Sequence, residues 1–241
     1  MTAKINIKKT FKGLLLGAAI SASITGAAQA AEVEVLHWWT SGGEAKALGT
    51  LRETLQGQDI TWKDMPVAGG GGSSAMTVLR SRVMSGNAPT AVQMMGFDIL
   101  DWGEQGVTAN LNEVAKAGNW DAVVPAALKR FAKTNGQWNS APVNVHSTNW
   151  VWGNKAVLDK LGVATPTSWD EFISAMEKAK AAGLTPLAHG GQAWQDATVF
   201  DGVLMATGGV DFYRKALIDL DEAALTSQTM EQVFDRMKQL R

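Results

Sequence analysis

Ten tryptophans and a single tyrosine stand among the 241 residues of this chain, and the tryptophans raise the first chemical question. They are Trp38, Trp39, Trp62, Trp102, Trp120, Trp138, Trp150, Trp152, Trp169 and Trp194. A large ring at strand or helix period is normally core packing. Trp38-Trp39 departs from that rule, because neighbouring strand residues face opposite ways and one buried layer cannot take both. The pair closes a strand-like run, Val33 to Trp39, and precedes the polar turn Thr40-Ser41-Gly42-Gly43-Glu44. An indole face suits the apolar C–H face of a pyranose, while a carboxylate such as that of Glu44 takes its hydroxyls. Two other places combine similar residue types. Gln93-Met94-Met95-Gly96-Phe97-Asp98 offers an amide and a carboxylate around a glycine turn. His189-Gly190-Gly191-Gln192-Ala193-Trp194-Gln195-Asp196 offers glycine, indole and amide together, and reads equally as a glycine loop with a helix N-cap.

Other chemistries find less support. Gly69-Gly70-Gly71-Gly72-Ser73-Ser74 lies between a strand and a helix, where phosphate loops occur. It lacks the Gly-Lys-Ser/Thr ending, and Ser74 stands where a dinucleotide fingerprint needs glycine. The expected structure there is a tight loop capped by serine. There is no Gly-x-Ser-x-Gly elbow and no His-Glu-x-x-His. His37, His146 and His189 are dispersed without metal-ligand spacing, so neither a metal nor another cofactor is expected. Asp98, Asp101 and Glu104 lie close enough for paired-acid chemistry, yet Asp101 and Glu104 also share the solvated face of a short helix. The absence of cysteine excludes thiol nucleophiles, disulfides and thiolate metal sites.

The elements that must position these residues alternate. Val33–Trp39 reads as a strand, Glu44–Gln56 as a helix with Ala47, Leu48, Leu51 and Leu55 on one face, and Ile60–Trp62, running on to Val67, as a second strand. Ser74–Ser85 repeats the helical pattern, and Thr90–Met95 is a third strand. The order βαβαβ predicts a parallel sheet covered by helices, with ligands beyond the carboxyl ends of its strands. Further on, the pattern predicts a helix over 121–133, two extended segments over 138–152 and a strand-like run over 185–188. Ser168-Trp169-Asp170-Glu171 is a capping box opening a helix toward Ala182, with Gly183 at its stop. Helices are also predicted over 196–206 and 229–240.

The N-terminus carries Lys4, Lys8, Lys9 and Lys12, an apolar run from Gly13 to Ile24 and a small-residue site ending at Ala30. That is the pattern of a cleavable secretory signal over residues 1–30. Twelve apolar residues are too few to span a hydrocarbon core, which needs about 20. Cleavage would leave 211 residues with 18 basic and 23 acidic side chains and a charge of −5. Such a surface does not favour nucleic acid. With no cysteine to receive lipid, the expected location is the periplasm, without a lipid anchor.

The chain resembles the periplasmic sugar-binding proteins of ABC importers, family 1 of the extracellular solute-binding proteins, and within it the glucose/mannose-binding type. The resemblance runs from Val33–Glu44 through the Gly69–Gly72 loop and Gly86–Ala91, then Pro142–Trp150 and Pro166–Phe172, to Gly190–Gln195. It implies an α/β protein with the two-lobe periplasmic binding protein fold, type II-like, in which a hinge lets the lobes close on a monosaccharide. The closed form would dock on an inner-membrane permease, as a monomer and without catalysis. By position, the resemblance implies sugar contacts from Trp38, Trp39 and Glu44, with Gln93 beside them; Asp98, at the exit of the third strand, is a further ligand candidate by its residue type. Trp194 and Gln195 would come from the second lobe, and Asn144 and His146 would lie near a hinge crossing. The lobes are then expected at 31–145 and 146–241, the second incomplete, because the resemblance implies a chain of roughly 400 residues. A truncated chain is expected to bind glucose weakly or not at all. An exported carbohydrate-active enzyme, or a remnant without function, is the alternative.

Overall fold

The computed structural model describes residues 31–240; the signal segment expected over 1–30 lies outside them. Strand β1 (Ala31–His37) is central in a parallel sheet of order β2-β1-β3, with β2 over Ile60–Pro66 and β3 over Ala91–Val92. Its register pairs Ala31 with Ile60 and Val35 with Ala91. Parallel neighbours need a crossover, and helices α1 (Gly42–Thr54) and α2 (Ser73–Met84) supply the two. Leu36, fully buried, packs with Ala75 and Leu79 of α2 and with Trp102 from α3 (Phe97–Glu104). Arg82 of α2 donates to the Glu34 carboxylate of β1, which clasps helix to strand and holds the Glu34 carboxyl below its usual range.

A second small core joins α4 (Asn112–Ala117), α5 (Trp120–Val123) and α6 (Ala126–Ala132) to a hairpin of β4 (Lys133–Thr134) and β5 (Gln137–Trp138). Ala115, Ala132 and Trp138 are buried there. After α7 (Lys155–Lys160) and α8 (Trp169–Ala181), a third core forms between α9 (Ala193–Tyr213), a π-turn over Arg214–Ile218, α10 (Glu222–Leu225) and α11 (Gln228–Gln239). Leu204 and Val233 are its fully buried side chains.

Several expectations change. The helix expected over 121–133 is two, because Pro125 has no N–H and forces Val124 into extended geometry. The serine cap on α2 is absent: Gly72, left-handed at φ 107°, holds the cap position, and Gly70–Gly72 form a 3₁₀ turn. The capping box of α8 is half formed. The Ser168 hydroxyl accepts from the Glu171 amide, but the Glu171 carboxylate turns to the amide and hydroxyl of Thr167. Helix α9 begins three residues earlier than expected and runs on to Tyr213 past a kink at Gly209. The third strand shrinks to two residues, and of the extended segments over 138–152 only Trp138 is paired. Residues 185–188 form no strand, and Pro186 removes one of the donors a ladder needs.

Candidate functional site

The carboxyl end of β1 is where the expected site residues begin to converge. The backbone there is fixed on both sides, since the Val67 amide donates to the His37 carbonyl at 2.7 Å and the Gln93 amide to the Leu36 carbonyl at 2.9 Å. Beyond it, past the end of β1 at His37, the two indoles meet different neighbours. Trp39 is 7% exposed and meets the ring of His146 edge-on, with 6.0 Å between centroids. His146 Nε2 lies 3.7 Å from Glu44 Oε1, and Glu44 stands in the first turn of α1. Trp39, Glu44 and His146 therefore form one cluster from three segments of the chain.

Trp38 instead meets the glycine loop. It lines a cavity of about 340 Å³ with Gly70–Gly72, Ser73, Met76, Thr77, Arg80, Met95 and Asp98. That volume is near the lower end of the roughly 300–1,000 Å³ typical of small-molecule sites. Asp98 enters from the first turn of α3. Burial pushes its carboxyl above the usual range and the negative charge of Asp101 adds to this, while Arg80 opposes them.

The remaining expected residues lie as follows. Gln93 accepts the Trp38 backbone N–H on its side-chain oxygen at 3.2 Å, so it fixes the strand exit. Trp194, 45% exposed, donates its indole N–H to Gln192 at 2.8 Å. Gln195 accepts the Gln192 amide at 3.0 Å and closes a capping box at the start of α9. Asp196 bonds His189 at 2.6 Å. The 189–196 element is thus a self-satisfied helix start. Asn144 is exposed, within an irregular stretch from Asn139 to Asn154. Among the described residues no group of three or more histidine, aspartate or glutamate side chains could hold a metal.

The pattern of bacterial extracellular solute-binding proteins matches residues 39–241, most of the chain. This chain belongs to that family. Two relatives named probable sugar-binding periplasmic protein are similar to it. The one from Rhizobium meliloti is 61% identical over 93% of this chain and 54% of that protein. The one from Brucella melitensis is 58% identical over 97% of this chain and 56% of that protein. The chain therefore spans about half the length of the curated relatives it matches. A solved chitin oligosaccharide binding protein shares the fold, with a TM-score of 0.66 at 19% identity over 88% of this chain and 53% of that one. The fold is accordingly the α/β fold of periplasmic solute-binding proteins, present here in part.

Within this solute-binding framework, sequence reasoning missed the pairing of Glu44 with His146, 102 residues apart, because no periodicity links them. It also missed Arg80, Met76 and Thr77 as cavity walls, although their spacing along α2 places them on one helix face.

Proposed function

We propose that the chain is the sugar-binding component of an ABC importer, taking a monosaccharide, glucose or mannose, at the carboxyl end of β1. The observation that carries this reading is the convergence of Trp39, Glu44 and His146. An indole, a carboxylate and an imidazole together match the apolar face and the hydroxyls of a pyranose. Trp38 and Asp98 border the neighbouring cavity, and Trp194 approaches from α9. Residues 31–145 act as one lobe and 146–241 as part of the second. Exported through residues 1–30 and not lipidated, the protein works in the periplasm as a monomer and hands its sugar to a membrane permease without chemical change.

Glu44 and His146 are each 44% exposed, so water competes for their hydrogen bonds and the expected affinity is millimolar rather than micromolar. Titration of tryptophan fluorescence with D-glucose, D-mannose and D-galactose tests the reading. A saturable response to one of the first two, with the sugar recovered unchanged, supports it. A turned-over glycoside points instead to a carbohydrate-active enzyme. No response to any of the three refutes the reading.

A further inference from the structure

The glycine loop holds two indoles at once. A methyl group built on Gly71 would come within 2.8 Å of Trp194 Cγ and 2.9 Å of its Cβ. One built on Gly72 would lie 2.9–3.0 Å from Cζ2, Cε2 and Cη2 of Trp38. Such separations are well inside van der Waals contact, which for carbon begins at about 3.5 Å. The two contacts differ in kind. At Gly72 the neighbour is the outer edge of a ring, which a small swing relieves. At Gly71 it is the root of the side chain, and no rotation about χ1 moves Cβ. Trp194 is pinned further by its N–H bond to Gln192. Neighbouring Cα atoms are about 3.8 Å apart, so one short loop fixes where both rings rest.

We infer that Gly71 and Gly72 are positioning residues: their bare Cα atoms seat Trp194 and Trp38 on the glycine loop, and a side chain at residue 71 displaces Trp194 from the site. The seating stands on geometry alone. Its consequence for sugar binding rests on the function proposed above.

Backbone strain must be separated from the contact. Gly71 has φ 60°, and Gly162 has φ 64° with nothing within 4 Å of an added Cβ. Alanine therefore meets the same left-handed penalty at both positions but touches an indole only at 71. The experiment uses the whole chain labelled with 5-fluorotryptophan, with the Trp194 resonance assigned by Trp194→Phe. Gly71→Ala is expected to shift that ¹⁹F resonance and Gly162→Ala to leave it in place. Gly71→Ala should also weaken D-glucose binding about tenfold relative to Gly162→Ala, equivalent to about 1.4 kcal/mol.

An unmoved Trp194 resonance in Gly71→Ala overturns the seating. A moved resonance with unaltered D-glucose affinity overturns the positioning role. A wild-type chain blind to D-glucose refutes the sugar reading, and the ¹⁹F result then decides the seating by itself. If Gly71→Ala folds poorly, the Trp194→Gly background, which removes the clashing Cβ as well as the ring, replaces it. There Gly71→Ala should lower Tm no more than Gly162→Ala does, and an undiminished loss overturns the seating.

Discussion

Glu44→Gln is the most informative single change at the proposed site, because it keeps the side chain's shape and removes only its charge. Glu44 faces His146 at 3.7 Å and is partly open to water. A hydrogen bond to a charged group contributes about 1.5–3 kcal/mol and a neutral one about 0.5–1.5. The difference is about 1–1.5 kcal/mol, so D-glucose affinity should fall about five- to tenfold. Stability responds by a separate route. Glu44 is the acidic residue in the first turn of α1, where a negative charge favours the helix by about 0.3–1 kcal/mol. For a chain of this size that is a Tm loss of at most about 4 °C.

Glu53→Gln is the control, since Glu53 is exposed in the last turn of the same helix, where negative charge opposes the dipole. It should raise Tm slightly and leave the affinity alone. Fluorescence titration and a thermal melt of the three proteins read both quantities. If Glu44→Gln binds D-glucose within about twofold of wild type, a difference of about 0.4 kcal/mol, Glu44 is not a ligand contact. The reasoning from the Trp39–Glu44–His146 cluster then fails.

Leu36→Ala should cost about 3–4 kcal/mol in urea unfolding, because Leu36 is fully buried against Ala75, Leu79 and Trp102 and the resulting cavity cannot close easily; a cost under about 1 kcal/mol would mean this core is loosely packed. Glu34→Gln should flatten the acid limb of stability. The folded carboxyl lies below its ordinary value of 4.5, chiefly through the Arg82 hydrogen bond, so its contribution is present above pH 4.5 and lost as pH falls through the folded value. Acid titrations of wild type and variant with the same slope below pH 4.5 would refute this. Asp98→Asn should have the opposite dependence. Burial raises the folded carboxyl above its ordinary 3.8, so ionisation disfavours the fold as pH rises through that window. The variant should therefore be more stable than wild type at pH 7, with the advantage shrinking as pH falls through the raised folded value and gone below pH 3.8, as paired thermal melts would show.

How much of this was legible in the sequence depended on how local each cause is. The βαβαβ order, helices α1, α2, α8 and α11, and the left-handed stop at Gly183 follow from patterns within a dozen residues, and the structure has them. The strand expected over Val33–Trp39 stops at His37, so Trp38 and Trp39 lie just beyond it and their different neighbours are not set by a strand. The roles of Gln93 and Gln195 were not legible. Both are amides, a residue type that fits a sugar contact and a backbone clamp equally. Only the hydrogen bonds to the Trp38 and Gln192 amides show the clamp. The indole seats at Gly71 and Gly72 were hidden in the same way: the glycine run was visible, but not the rings that need it.

The strand predictions diverge from the structure for one shared reason. A helix satisfies its own backbone, so Ser168 to Ala181 can be read as a helix without knowing its neighbours. A strand is satisfied only by another strand. The stretch 140–153 has the β-branched and aromatic residues of β structure, Val143, Val145 and Val151 with Trp150 and Trp152. Among the described residues no strand lies beside it, and those five side chains stay exposed, Trp152 at 90%. The two-residue β3 and the unpaired run over 185–188 follow the same logic. His146 lies inside that stretch and still reaches Trp39 and Glu44. The contact that carries the proposed function is therefore held by side chains alone on the His146 side, with no sheet behind it. Ligand binding should then order this stretch as well as occupy the site, because the sugar would add hydrogen bonds where the backbone lends none. Amide hydrogen exchange over 140–153 should slow when D-glucose saturates the chain, and unchanged exchange at saturation would show that His146 takes no part in holding the sugar.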